Sequence, residues 1–129
     1  MEVNLFFKEI YNLLDSKGAE DIIIYDIVKF SYIADYLILC TGNSETHINA
    51  LSGNILKLSK DLNQKIYNID GYKNTKWVSI DFGDIILHVM GKHEREFYNL
   101  ESIWGDCERV EIDKSNSFGV KYGSKVPNK

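Results

Sequence analysis

Proline occurs once, at Pro127, so no proline-rich linker divides the interior of this 129-residue chain. Cysteine is nearly as scarce. Cys40 and Cys107 stand far apart and form no CxxC pair, which excludes that redox or metal spacing and fits two reduced thiols in a cytosolic protein. Apolar runs are short. None approaches the roughly 18 residues of a membrane span, and the start Met1–Lys8 has neither a basic leader nor a cleavage site. No membrane contact is expected, and the cytoplasm is the expected location. GxGxxG is missing, and no Walker-type lysine follows a glycine-rich turn.

What remains is ordinary for one globular domain: 44% apolar and 26% charged residues. Net charge is −4, unevenly spread. Residues 114–129 hold Lys114, Lys121, Lys125, Lys129 and no acid, which leaves −8 for residues 1–113. A body that acidic repels phosphate backbones and is steered toward basic protein surfaces; solubility alone is the plainer account of the same charge.

The most informative stretch is Trp77–Met90. Gly83-Asp84 sits between two runs of strand formers, so the segment reads as a β-hairpin with glycine first, as a type II′ turn requires. That turn sets Phe82 opposite Ile85, Ser79 opposite His88 and Trp77 opposite Met90. One face then carries Val78, Ile80, Phe82, Ile85, Leu87 and Val89, all apolar. The other carries Trp77, Ser79, Asp81, Ile86, His88 and Met90, and is the candidate working surface.

Elsewhere, residues 3–17 follow a helical apolar period and stop at Gly18. Asp21–Ile27 and Tyr36–Thr41 read as buried strands. Residues 44–63 form a long helix with a seam of Ile48, Leu51, Ile55, Leu58 and Leu62. Lys65–Asp70 is a short third strand, and residues 92–104 a last helix with Phe97, Leu100 and Trp104 on one side. The order α-β-β-α-β-β-β-α implies an α/β fold, a mixed five-stranded sheet flanked by helices. A domain over 1–105 and a basic, frayed tail over 106–129 are expected; Val110 and Ile112 offer a strand extension as the alternative.

Candidate chemistry is sparse. Thr41-Gly42-Asn43-Ser44 lies at a strand-to-helix turn where an anion could sit, but capping by Asn43 or Ser44 accounts for it. Asp81 and Asp84 need not converge on a metal, since one lies on a strand face and the other in a turn. His88 opposite Ser79 lacks an orienting acid, so cross-strand pairing is the simpler account. Cys40, in an apolar strand, is expected to be inert. Trp77 with Met90 suits a protein-binding hot spot; a helix covering the same face would make both core. Arg95 and Tyr98 share a face of the last helix and either rim that patch or, for Arg95, pair with Glu101. No cofactor or metal site is expected.

Taken together, several segments resemble the ribosomal silencing factor, or Iojap-related, family. They are Asp21-Ile-Ile with Asp26-Ile27, Ala34-Asp35 through Ser44, His47, Gly71, Trp77 through Asp84, His88-Val89, and Arg95-Glu-Phe-Tyr98-Asn-Leu100-Glu101-Ser-Ile-Trp104. The likeness covers about residues 3–105. Asp70 and Ile103 depart from it mildly, where the family usually has Glu and Leu. The resemblance implies a small domain distantly like nucleotidyltransferases. It also implies a non-catalytic repressor that binds the large ribosomal subunit through large-subunit ribosomal protein fourteen and obstructs small-subunit joining. Partner contacts are then expected from Trp77, Asp81, His88, Met90, Arg95 and Tyr98. A homodimer, and rRNA contact by the basic tail, stay open. So do two other functions: a metal–nucleotide enzyme built on Ser44, Asp81 and Asp84, and a large-subunit assembly factor.

Overall fold

The computed structural model describes residues 3–73, 75–112 and 120–122. In chain order the elements are α1 (Val3–Ser16), β1 (Glu20–Asp26), β2 (Tyr36–Gly42), α2 (Glu45–Asp61), β3 (Asn68–Asp70), β4 (Trp77–Asp81), β5 (Ile85–Gly91), α3 (Lys92–Tyr98), a 3-10 turn (Leu100–Ser102), β6 (Glu108–Ile112) and β7 (Val120–Tyr122). They form one mixed sheet in the order β3-β4-β5-β2-β1-β6-β7. β2 and β5 are parallel, and every other neighbouring pair is antiparallel.

α1 buries Phe6, Phe7, Ile10 and Leu14. It ends in a Schellman motif around Gly18, whose φ of 82° is open to glycine. The Gly18 N–H donates to Asp15 O at 3.2 Å and the Ala19 N–H to Leu14 O at 2.9 Å. α2 begins at Ser44, whose hydroxyl accepts the His47 N–H at 3.0 Å. Its Ile48, Leu51 and Ile55 join α1 in covering one sheet face. The expected core face of the hairpin, Val78 through Val89, is buried there in full. Phe6 meets Phe82 edge-on, with centroids 5.0 Å apart.

The hairpin has the expected register, from Trp77 opposite Met90 to Asp81 opposite Ile86. Gly83 has φ 88° and the Phe82 N–H donates to Ile85 O at 2.8 Å. Glycine alone takes positive φ in this turn, as type II′ requires.

Four expectations are corrected. The sheet has seven strands, not five, because β6 pairs with β1 and β7 pairs with β6. Residues 106–112 are therefore not a frayed tail: Cys107 and Val110 are buried, and Val110 lies opposite Ile24. The rest of the expected tail, 113–119 and 123–129, lies outside the described residues. The last helix does not run to residue 104. Asn99 turns left-handed at φ 46° and its N–H closes on Arg95 O, after which a 3-10 turn follows. Asparagine tolerates that conformation better than other side chains. The third strand is also shorter than expected, three residues at the sheet edge.

Truncation checks the strand addition. Removing residues 106–129 should lower stability by about 2 kcal/mol or more, since the buried Val110 and Cys107 are lost and Ile24 is uncovered. A denaturant titration reads this out; an unchanged midpoint would mean that β6 adds nothing.

Candidate functional site

The second sheet face holds a smaller core of Tyr25, Ile27, Ala34, Leu37, Leu39, Met90 and Cys107. The chain after α3 crosses this face, and Leu100 and Trp104 pack against it. Trp77 and Ile86 lie at its margin, half-buried. The hairpin's mixed face is thus neither bare nor fully covered.

Trp77 organises what is left open. Its Nε1–H donates to His88 Nδ1 at 2.9 Å, a diagonal contact across the hairpin. The Tyr98 ring lies 4.8 Å away, centroid to centroid, and Phe97 sits edge-on to Tyr98 at 5.0 Å. Tyr98 is 53% exposed and Phe97 72% exposed, with Ile103 also exposed nearby in sequence. A sequence of large aromatics therefore runs from a half-buried Trp out to solvent, a composition enriched at protein interfaces.

His88 must be neutral at Nδ1 to accept that bond, which places its proton on Nε2. Burial lowers its pKa from the ordinary 6.5 to about 4. The bond seen is with Trp77, not the polar pairing with Ser79 that the register suggested. Met90 is 0% exposed. It supports Trp77 from below and does not itself face solvent, which corrects its reading as an exposed contact.

Arg95 is likewise not a rim residue, being 8% exposed. Its Nε donates to Glu101 Oε1 at 2.9 Å, and its Nη1 to Asp21 O at 2.7 Å and Thr41 Oγ1 at 3.0 Å. It ties α3 and the 3-10 turn to the ends of β1 and β2, and so fixes where Tyr98 stands. Of the two sequence readings for Arg95, the pairing with Glu101 is the one formed. Asp81 lies at the far end of β4, about 13 Å from Trp77 at strand rise. Its Oδ1 accepts the Gly83 N–H at 2.8 Å and so braces the turn. The structure thus groups Trp77, His88, Met90 and Tyr98, sets Arg95 behind them and leaves Asp81 apart. Phe97 was missed, because an unbroken helix would have turned it inward.

The Thr41–Ser44 turn is a cap. Besides the Ser44 bond, the Asn43 N–H donates to His47 Nδ1 at 2.9 Å, and His47 Nε2 bonds Lys17 O at 2.9 Å. Asp84 contributes its backbone carbonyl, which accepts from Asp35 N and Tyr36 N. Among the described residues no three His, Cys, Asp or Glu side chains gather as metal ligands, and no helix is long and apolar enough to cross a membrane. Burial pushes the Cys40 thiol up to about 12, the state of an unreactive core cysteine.

A family model described as ribosomal silencing factor during starvation matches residues 2–126. This chain belongs to the ribosomal silencing factor family. It is 38% identical over 102 residues to a protein of Halalkalibacterium halodurans named ribosomal silencing factor RsfS, covering 79% of this chain and 87% of that one. A crystal structure of a Chromobacterium violaceum protein superposes with a TM-score of 0.78 at 30% identity, covering 81% of this chain and 88% of that chain. A mouse protein named mitochondrial assembly of ribosomal large subunit protein 1 is 29% identical, covering 72% of this chain but only 42% of its own length.

The neutral His88 makes stability depend on pH. Its folded pKa lies below the unfolded value, so the unfolded chain binds more protons between about 4 and 6.5. Stability should therefore fall as pH drops through that window, by up to about 3 kcal/mol from this group. His88→Gln keeps an acceptor for Trp77 but does not titrate, and should remove that part of the slope in denaturation curves recorded from pH 7 to 4. An unaltered slope would assign the acid sensitivity to other groups.

Proposed function

We propose that this silencing factor represses translation by binding the large ribosomal subunit through large-subunit ribosomal protein fourteen, where its bulk excludes the small subunit. The observation that carries the reading is the Trp77–Tyr98–Phe97 aromatic sequence on the sheet's second face, in a chain of the silencing-factor family. Aromatic anchors supply most of the energy of such contacts. An acidic body of −8 complements a basic ribosomal protein. The four lysines of 114–129 add rRNA contact by displacing counterions. The cytoplasm is where a factor of this kind meets ribosomes.

The non-catalytic reading is supported by the side chains an enzyme would need. Ser44 caps α2, one Asp81 oxygen braces the hairpin turn, and Asp84 offers a carbonyl to the backbone. A second reading, in large-subunit assembly, rests on the likeness to the mouse protein of that name. It uses the same contact at an earlier time.

Two measurements test the proposal. Added protein should lower the yield of joined ribosomes from separated subunits on sucrose gradients; undiminished joining at saturation would exclude blockade. Large subunits that bind the protein yet join normally would favour assembly instead. At the residue level, Phe97→Ala and Tyr98→Ala should each weaken large-subunit binding by about 2 kcal/mol while shifting stability by less than about 1 kcal/mol, because both side chains are mostly exposed. Trp77→Ala should cost both binding and stability, since Trp77 also packs on the second core. Full binding by the Phe97 and Tyr98 variants would move the contact to another surface.

A further inference from the structure

A second feature of the same sheet face is polar and lies beside the aromatic patch. Between α3 and the β1–β6 strand pair lies an open cleft of about 700 Å³, lined among others by Lys92, Arg95, Glu101 and Arg109. Arg109 lines it from β6 and stands opposite the buried Tyr25 across the strands, so both project to the second face. The Tyr25 phenol lies against the Arg109 guanidinium, and burial raises its pKa against the pull of that charge.

Arg109 is unusual in this setting. Its Nε–H is buried and has no acceptor among the described residues. Buried donors are nearly always paired, and leaving a guanidinium N–H unmatched is costly. The cations here are also poorly neutralised. Arg95 has Glu101 at 2.9 Å, but neither Lys92 nor Arg109 has a carboxylate within ion-pair distance among the described residues. The acids that share the cleft are Asp21 and Glu96, both exposed, and Glu101, which pairs with Arg95. Among the described residues none of the three lies within ion-pair distance of Lys92 or Arg109.

We infer that this cleft binds a small phosphate-type oxyanion, with the Arg109 guanidinium as its inner donor group and Lys92 at the entrance. A guanidinium presents paired N–H donors that match the oxygens of such a group. Two unpaired cations suit a dianion. The exposed carboxylates Asp21 and Glu96 repel an extended polyanion, so a free phosphate or a small phosphomonoester fits better than a nucleic-acid backbone.

The test uses the full chain and inorganic phosphate, against sodium chloride at matched ionic strength. Phosphate should raise the melting temperature saturably, as a ligand of the folded state does, and should shift the Arg109 Nε–H resonance in a 15N spectrum with the same midpoint. Arg109→Lys keeps the charge but loses the fork, and should weaken the apparent affinity at least about tenfold. Lys92→Gln, on an exposed side chain, should weaken it severalfold. If Arg109→Lys does not fold, the native resonance and Lys92→Gln decide. An effect no larger than that of chloride, or a rise in melting temperature with the Arg109 resonance unmoved, overturns the assignment. Adenosine monophosphate and a short single-stranded RNA form the further arms. Binding of the RNA tighter than phosphate and the mononucleotide would overturn the small-anion reading.

Discussion

The parallel pairing of β2 with β5 is the constraint on which the rest of the molecule depends. It is the only parallel ladder among the described strands, seven residues long from Tyr36–Ile85 to Gly42–Gly91. Two parallel neighbours cannot be joined by a tight turn, so the chain must cross over. That crossover is α2, which lies on the first face, followed by β3 and β4 on the far side of β5. β2 is buried along its whole length, which is why its sequence is apolar without alternation. The hairpin, the edge strands and both helices of the first face take their places from that pair.

The two faces of the sheet are finished differently. α1 and α2 seal the first with an interlocked apolar layer in which every inward residue of the hairpin is buried. The second is crossed once, by the segment from α3 to β6. Arg95 holds that crossing in place through three partners from separate parts of the chain. A charge so placed is favourable only when its donors are satisfied. The result is a face with a small core, an aromatic outcrop and a polar cleft side by side.

Much of this was readable before any coordinates. The hairpin register followed from Gly83-Asp84, because a two-residue turn leaves one alignment. The helix over 45–61 and its cap followed from apolar period and Ser44. What failed was mostly at the C-terminal end. Residues 106–112 look unremarkable, with only Val110 and Ile112 to suggest a strand. They are ordered because β1 presents a free edge to them, and that edge exists only in the assembled sheet. The break at Asn99 is similarly invisible to helical periodicity. It arises because Leu100 and Trp104 must reach the second core, which an unbroken helix would direct elsewhere.

The candidate site divides along the same line. Sequence alone determined which residues share the hairpin's mixed face, since side chains alternate along a strand and the turn fixes their partners. It also determined the acidic body and the resemblance to the silencing factors. Only the tertiary structure decided which of those residues meet solvent. Met90 and Arg95 went inside and Phe97 went outside, because burial depends on where the post-α3 segment crosses the sheet. The unmatched Arg109 donor belongs to the same class of fact: strand pairing sets Arg109 opposite Tyr25, and only the folded chain buries its Nε–H.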